Sequence, residues 1–351
     1  MRNYIIGILL IICFGCACST GVNGASGNDS PDVPETSGKG GYLFAHMTPS
    51  DYGSLFYSLS RDGIKWQTVN GGKIVLADYY GHPDICKGPD VFDSAPFRYY
   101  MIGVIRGASS NAKLILWHTE DLIVWRRKEL NGNSFDVSHL GLSNEIPFIG
   151  APKMFYDEDS GKFLITWHAS VYTTDKQKWE TMRTCYVLTS DFSEFTSPAR
   201  FFASPDTPTA TYFEGDDADI ALIDVIIRKF DGKYYAIMKD ERWEDKAPKT
   251  HKSIRIASSD NLLGPYSNPG PSISPNWREA PILVHTPEGK FRIYYEDYTN
   301  AVYQMRESTA LTGEPWKDVT ITPPIARHGC IIPVDEKTYQ AILKNYPEEV
   351  I

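Results

Sequence analysis

Cysteine is scarce in the body of this 351-residue chain. Three of its six cysteines, Cys13, Cys16 and Cys18, crowd the N-terminus, and only Cys86, Cys185 and Cys330 lie beyond. These three show no Cys-x-x-Cys spacing and no neighbouring Cys/His cluster, so neither a disulfide framework nor a zinc site is expected. Each sits in or beside an apolar stretch, as a buried thiol does. Positive charge is also in deficit. Lys and Arg number 35 against 44 Asp and Glu, a net charge of −9, which argues against a nucleic-acid partner because phosphate binding needs a basic surface. There is no Gly-rich phosphate loop, no His-Glu-x-x-His and no Gly-x-Ser-x-Gly. Long amphipathic helical patterns are missing, and the apolar run at residues 5–14 is too short to span a bilayer comfortably.

That apolar run follows Arg2 and ends in Gly15-Cys16-Ala17-Cys18-Ser19. A positive start, a short apolar stretch and a small residue before Cys resemble a bacterial lipoprotein signal. Residues 1–17 are read as that signal, with Cys16 or Cys18 as the lipidated residue; plain secretion is the alternative. Residues 18–40, rich in Gly, Ser, Asp and Pro, read as a flexible tether. Residues 41–351 remain as the folded domain. The expected location is the periplasm or cell surface, held to the membrane only through the lipid.

Aromatic residues make up 13% of the chain, with 21 Tyr and 8 Trp. Flat rings with a polar edge suit wet, concave sugar sites, and they equally suit a β-rich interior. Short alternating or aromatic-rich runs separated by Gly, Asp, Asn and Pro read as strands. The runs recur. Ser60-Arg61-Asp62 leading to Trp66, Thr119-Glu120-Asp121 leading to Trp125, and Thr189-Ser190-Asp191 leading to Phe195 share one turn pattern; Ser258-Ser259-Asp260 and Ser308-Thr309-Ala310 are looser copies. Gly161-Lys162-Phe163, Gly232-Lys233-Tyr234 and Gly289-Lys290-Phe291 mark hairpins. A repeat of roughly 50–70 residues with three or four strands is a β-propeller blade. Four blades fall at about 80–130, 146–205, 218–272 and 276–320. The run at 42–69 lacks an inner strand, and Gly329-Cys330-Ile331-Ile332-Pro333 is unpaired, so joining the two makes a fifth blade. The expected fold is all-β, a five-bladed β-propeller closed by its N- and C-terminal strands; a pair of β-sandwiches is the alternative. Residues 339–343 suit a short terminal helix.

The blade spacing combines with Pro83-Asp84-Ile85 followed by Gly88-Pro89-Asp90, Ile223-Asp224-Val225, Glu279-Ala280-Pro281 and Arg327-His328-Gly329. Together these resemble the five-bladed glycoside hydrolases of family 43 and their close relatives, over about residues 42–334. The resemblance implies inverting hydrolysis of mostly arabinose- and xylose-containing polysaccharides, with acidic groups at the starts of inner strands. It implies Glu279 as general acid, Asp224 as the residue that tunes and orients it, and His328 near the axis beside a water or a metal ion. It implies an Asp as general base where this chain has His82.

Inversion needs two carboxyl groups about 6.5–9.5 Å apart with a water between them. Burial beside Trp277 and a nearby Asp224 would raise the pKa of Glu279, while Arg278 would lower it if it pointed inward. A neutral His82 could accept a proton from water, and Asp84, two residues on, would share its face on a strand. His46, Trp167, His168, Lys239, Trp277, Arg278 and His328 are candidate substrate contacts, with Trp243 and Tyr298 as further stacking rings. Asp90 reads as a turn residue and the acidic run 214–219 as a loop; no residue is assigned as a metal ligand. The expected function is a glycosidase acting on arabinose-, xylose- or galactose-containing glycans, as a monomer with no required cofactor, with calcium or water near His328. Two other readings stay open: a glycan-binding propeller without turnover, and a sugar transglycosylase or lyase.

Overall fold

The computed structural model describes residues 40–77, 81–105, 113–143, 149–170, 179, 181–204, 207–211, 221–242 and 252–347. The leader, all but the last residue of the tether, the acidic run 214–219 and Trp243 lie outside the described residues.

The repeated turn has a local cause. One carboxylate oxygen of Asp62 accepts from the amides of Ile64 and Lys65 at 2.8 and 2.9 Å. Asp121 does the same for Ile123 and Val124, and Asp191 for Ser193 and Glu194. This lets a short side chain replace a backbone turn. The residue after each Asp is left-handed: Gly63, Leu122 and Phe192 at φ of 70°, 62° and 60°. Leu122 and Phe192 have side chains, so their strain must be offset by burial in the interior. In the hairpin between Phe230 and Lys233, Asp231 and Gly232 both have positive φ, the twist a two-residue antiparallel connection needs.

Strands β1 to β21 are numbered along the chain. The closing sheet is ordered β21 (Arg327–Val334), β1 (Gly41–Thr48), β2 (Asp51–Ser60), β3 (Gln67–Thr68). Next come β4 (Ile85–Gly88), β5 (Arg98–Ile105), β6 (Lys113–Thr119) and β7 (Arg126–Glu129), then β8 (Ile149–Asp157), β9 (Lys162–Ala169), β10 (Arg183–Thr189) and β11 (Ala199–Arg200). A hairpin of β12 (Ala203–Ser204) and β13 (Thr207–Thr211) precedes β14 (Leu222–Phe230), β15 (Lys233–Asp240) and β16 (Ser253–Ser259). The last full blade is β17 (Arg278–His285), β18 (Phe291–Asp297), β19 (Val302–Ser308) and β20 (Lys317–Val319). Helix α1 (Glu336–Asn345) follows, with Asp335 accepting from the Thr338 amide at its N-terminus.

This is the five-bladed propeller, with the blades in the expected places. β1 pairs antiparallel with β21 from Gly41↔Val334 to His46↔Gly329, which removes two open sheet edges. The apolar interior lies between neighbouring blades. Tyr100, Phe163 and Phe192 pack with Cys86 and Cys185 in one such layer, and Phe44, Ile282, Tyr294 and Ile331 pack across the closure. Cys86, Cys185 and Cys330 are buried thiols that form no disulfide with one another. Asp90 does more than close its turn. It accepts from the Phe92 and Asp93 amides and takes both Arg98 contacts at 2.7 Å. Arg98 is buried, and that carboxylate supplies its neutralising charge.

Candidate active site

Inner strands break register at their starts. The break lies between Gly150 and Lys153 in β8, between Ile223 and Ile226 in β14, and between Glu279 and Ile282 in β17. Inside the breaks, Ala151, Asp224 and Ala280 have φ of 44°, 52° and 49°; His328 in β21 has 33°. Such bulges bend a strand and re-aim side chains. None of these residues is glycine, so each costs about 1–3 kcal/mol of strain. Acceptors from neighbouring blades bond the amides of the strained Ala280 and His328, and that of Met154 just beyond the β8 break. Asp224 Oδ2 accepts from the Ala280 amide at 3.1 Å, Asp84 Oδ2 from the Met154 amide at 3.0 Å, and Glu296 Oε2 from the His328 amide at 3.0 Å.

Glu279 is the meeting point. Lys239 Nζ lies 2.9 Å from Oε2, and His328 Nε2 and Arg327 Nη2 lie 3.2 and 3.4 Å from Oε1. Lys239 also touches Glu241 Oε1 at 2.6 Å and sits 4.5 Å from the centre of the Tyr298 ring. The other oxygen of Glu241 meets Lys252. Burial pushes the Glu279 carboxyl up, but Lys239 and His328 outweigh it and hold the group well below the ordinary carboxylate range. The expected upward shift is therefore reversed in the free protein. The reason is two cations that sequence proximity does not reveal. His328 shows the mirror effect: burial opposes its charge, Glu279 more than restores it, and its pKa is raised. Glu296, directly opposite Glu279 in the β17–β18 register, is raised by burial, with His328 opposing and Glu279 adding to the shift.

His82 stacks on His328 with ring centres 3.9 Å apart and planes 13° from parallel. Burial first, then the charges of His328 and Lys153, keep its pKa well below the ordinary imidazole value. Its Nδ1 is buried with no hydrogen-bond partner among the described residues. Asp84 does not share a strand face with His82. β4 begins only at Ile85, so strand alternation does not apply, and one oxygen of Asp84 is committed to Met154. Arg278 turns from Glu279 to Asp297 at 3.0 Å and Gln304 at 2.9 Å.

The structure thus brings Glu279, Lys239, His328 and His82 together, with Asp224 bonded one residue past Glu279. Trp277 is half-buried at φ 61°, just before Glu279. His168 packs with Nε2 against Gly150, where a Cβ would lie 2.8 Å away. Trp167 is instead buried in the interior, edge-on to Phe135, and offers no face to a ligand. His46 is likewise interior: Nδ1 faces the Met47 carbonyl at 2.9 Å and Nε2 the Ser58 hydroxyl at 3.0 Å. Tyr52, Lys252 and Lys153 went unnoticed in the sequence. Tyr52 lies against both Arg327 and His328. Lys153 had one legible signal: Ala151-Pro152-Lys153 repeats the offset of His82-Pro83-Asp84.

Oxygens of Glu279 and Glu296 and a nitrogen of His328 lie within 4.8 Å of one another. Carboxylates and imidazole suit a divalent ion. Here, however, Lys239 and Arg327 already neutralise both carboxylates. An ion would have to displace those cations, so the residues as placed do not fit one.

Residues 39–340 match the family described as "Probable glycosyl hydrolase domain", a family 43-related group. A search of the curated proteins finds no match. Among solved structures, an α-L-arabinofuranosidase from Fusarium graminearum, in complex with an iminosugar inhibitor, is 12% identical with a TM-score of 0.52, covering 81% of this chain and 82% of that one. A thermostable family-43 glycoside hydrolase is 17% identical (TM-score 0.46; 70% and 74% covered). An α-L-arabinofuranosidase from Lactobacillus brevis is 15% identical (TM-score 0.44; 69% and 73% covered). At these identities the likeness is one of fold.

Proposed function

Because the chain belongs to the family 43-related glycosyl hydrolase domains, we propose that it hydrolyses O-glycosidic bonds in arabinose-, xylose- or galactose-containing glycans with inversion. The observation that carries the reading is the contact of Glu279 with His328, on which His82 stacks. In this mechanism the Glu279–His328 pair holds one proton, and Glu279 passes it to the departing sugar oxygen. A water attacks the anomeric carbon from the other side and gives its proton to neutral His82. The water O–C bond forms as the glycosidic C–O bond breaks, and one proton is taken up for each one given. Asp224 is a positioning residue, because it bonds the backbone of Ala280 beside the acid.

A second reading has its own support. Glu279 is held ionised in the free protein, and an imidazole, His82, stands where the resemblance puts the carboxylate of the base. A propeller that binds glycan without turnover would tolerate both. Release of reducing sugar from a panel of arabinosides, xylosides and galactosides separates the two. The hydrolase reading expects release by the natural protein and a loss of about a hundredfold or more in Glu279→Gln, the scale of general acid catalysis. Glycan binding without release by either protein would leave only the binding reading.

Export and attachment through a lipid on Cys16 or Cys18 belong to the same proposal, as does a monomeric state. Metabolic labelling with a fatty-acid probe, lost on Cys16→Ala or Cys18→Ala, tests the anchor.

A further inference from the structure

Three lysines are buried among the described residues: Lys153, Lys239 and Lys252. Lys239 meets Glu241 and Glu279, and Lys252 meets Glu241. Lys153, 4% exposed, has no hydrogen bond and no ion pair among the described residues. A lysine held almost entirely out of solvent with no counter-charge within ion-pair distance among the described residues is costly, so its retention points to an anion that arrives from outside.

Its position says where that anion would sit. Lys153 closes the register break of β8, as Ile226 closes that of β14 and Ile282 that of β17. It is two residues beyond the strained Ala151 and next to Met154, whose amide is taken by Asp84. The bond from the Met154 amide to Asp84 sets this part of β8 beside the His82-Pro83-Asp84 segment, whose His82 stacks on His328. Nδ1 of His82 and Nδ1 of His328 are both buried and lack partners among the described residues. The site is therefore divided. The side with Glu279, Glu296 and Glu241 has its carboxylates matched by Lys239, Arg327 and Lys252. The side with Lys153, His82 and His328 carries nitrogen groups with hydrogen-bonding capacity unused. Asp84, the acid nearest in sequence to this side, lies beyond ion-pair distance of Lys153 and has one oxygen committed to a backbone amide.

We infer that the glycan accepted at this site carries an anionic group, a uronic-acid carboxylate or a sulfate ester, on or next to the sugar at the scissile bond, and that Lys153 with the free ring nitrogens of His82 and His328 receives it. The inference rests on the glycan-binding reading above and narrows its substrate. Oxygen anions accept from ammonium and imidazole N–H groups, and such charge-assisted bonds are stronger than neutral ones.

The test is calorimetric titration of the full chain with three matched disaccharides that contain a galactose unit, a galacturonate unit or a sulfated galactose unit. The acidic ligands should bind about tenfold or more tightly than the neutral one, the scale of one hydrogen bond to a charged group. Lys153→Met should bring the acidic and neutral affinities within about threefold, and Lys153→Arg should keep the preference. A tighter uronide identifies carboxylate as the group, and a tighter sulfated sugar identifies sulfate. Equal or tighter binding of the neutral disaccharide by the natural protein overturns the inference and leaves the hydrolase reading intact. An acidic preference that survives Lys153→Met overturns it too. No binding of any of the three sinks this inference and the glycan reading together. The comparison on the natural protein decides even if Lys153→Met fails to fold.

Discussion

Histidines in this protein show how the same side chain takes opposite charge states a few residues from one another in space. His328 is buried, yet Glu279 stabilises its cation and raises its pKa. His46 is equally buried and has only neutral partners, Met47 and Ser58, so burial drives its pKa down to about 4. The linkage for His46 has a definite sign. Above the ordinary imidazole pKa of 6.5, both folded and unfolded chains hold it neutral and it has no effect. As pH falls below 6.5 the unfolded chain takes up the proton first, and stability drops until the folded protein also protonates near pH 4. The full loss is about 3 kcal/mol. His46→Gln, which can still hydrogen-bond but does not titrate, should show a smaller fall in thermal midpoint between pH 7 and pH 4.5 than the natural protein. Equal falls would mean that His46 is not the group responsible. Some acid sensitivity should remain, because His82 is also held neutral by burial. Of these residues, Glu279 was legible from Glu279-Ala280-Pro281. Lys239 and His328 were legible as site residues, but not as counter-ions of Glu279, because Lys239 comes from another blade and His328, with Arg327, from the closing strand. No local pattern records that distance.

At the level of strands, turns were more readable than bulges. Asp62, Asp121 and Asp191 announce their turns because a short carboxylate ahead of free amides has one obvious use. The inner-strand bulges use Ala151, Asp224, Ala280 and His328 at positive φ, where a glycine would have signalled the conformation. What permits them is the next blade. Asp224 accepts from the amide of Ala280, a residue that is itself strained and buried. Removing that acceptor leaves a buried N–H without a partner, which costs about 1–3 kcal/mol. Asp224→Ala should therefore lower the thermal midpoint, by several degrees if a domain of this size follows the usual scaling. Asp224→Asn keeps a carbonyl oxygen in place and should retain most of the stability. If Asp224→Asn then loses activity while holding its midpoint, the residue's charge matters to Glu279 in addition to its bond. Equal midpoints for Asp224→Ala and the natural protein would remove the structural role.

The ring as a whole depends on the meeting of its two ends. A split blade could be foreseen because the N-terminal run lacked an inner strand and an apolar segment near residue 330 had nothing to pair with. The clamps added outside that pairing could not. Arg61 pairs with Glu336 and lies over the Tyr339 ring, its guanidinium carbon 3.6 Å from the centre, tying β2 to α1. These are exposed contacts on a short helix, and exposed ion pairs contribute little. β21 is a different matter. It supplies the inner strand of the closing blade, the packing of Ile331 against Phe44 and Ile282, and both Arg327 and His328 of the site. Two truncations separate these contributions. Ending the chain after residue 335 removes α1 and its clamps but keeps the ring closed; Tyr339 and Ile342 are lost from the interior, so the midpoint should fall while a cooperative transition remains. Ending it after residue 326 opens β1 to solvent along its whole length and exposes a sheet edge. That chain should lose cooperative unfolding and aggregate, as followed by urea titration and size-exclusion chromatography. A soluble, cooperatively folding 326-residue chain would show that four blades suffice and that the closing pairing serves the site alone.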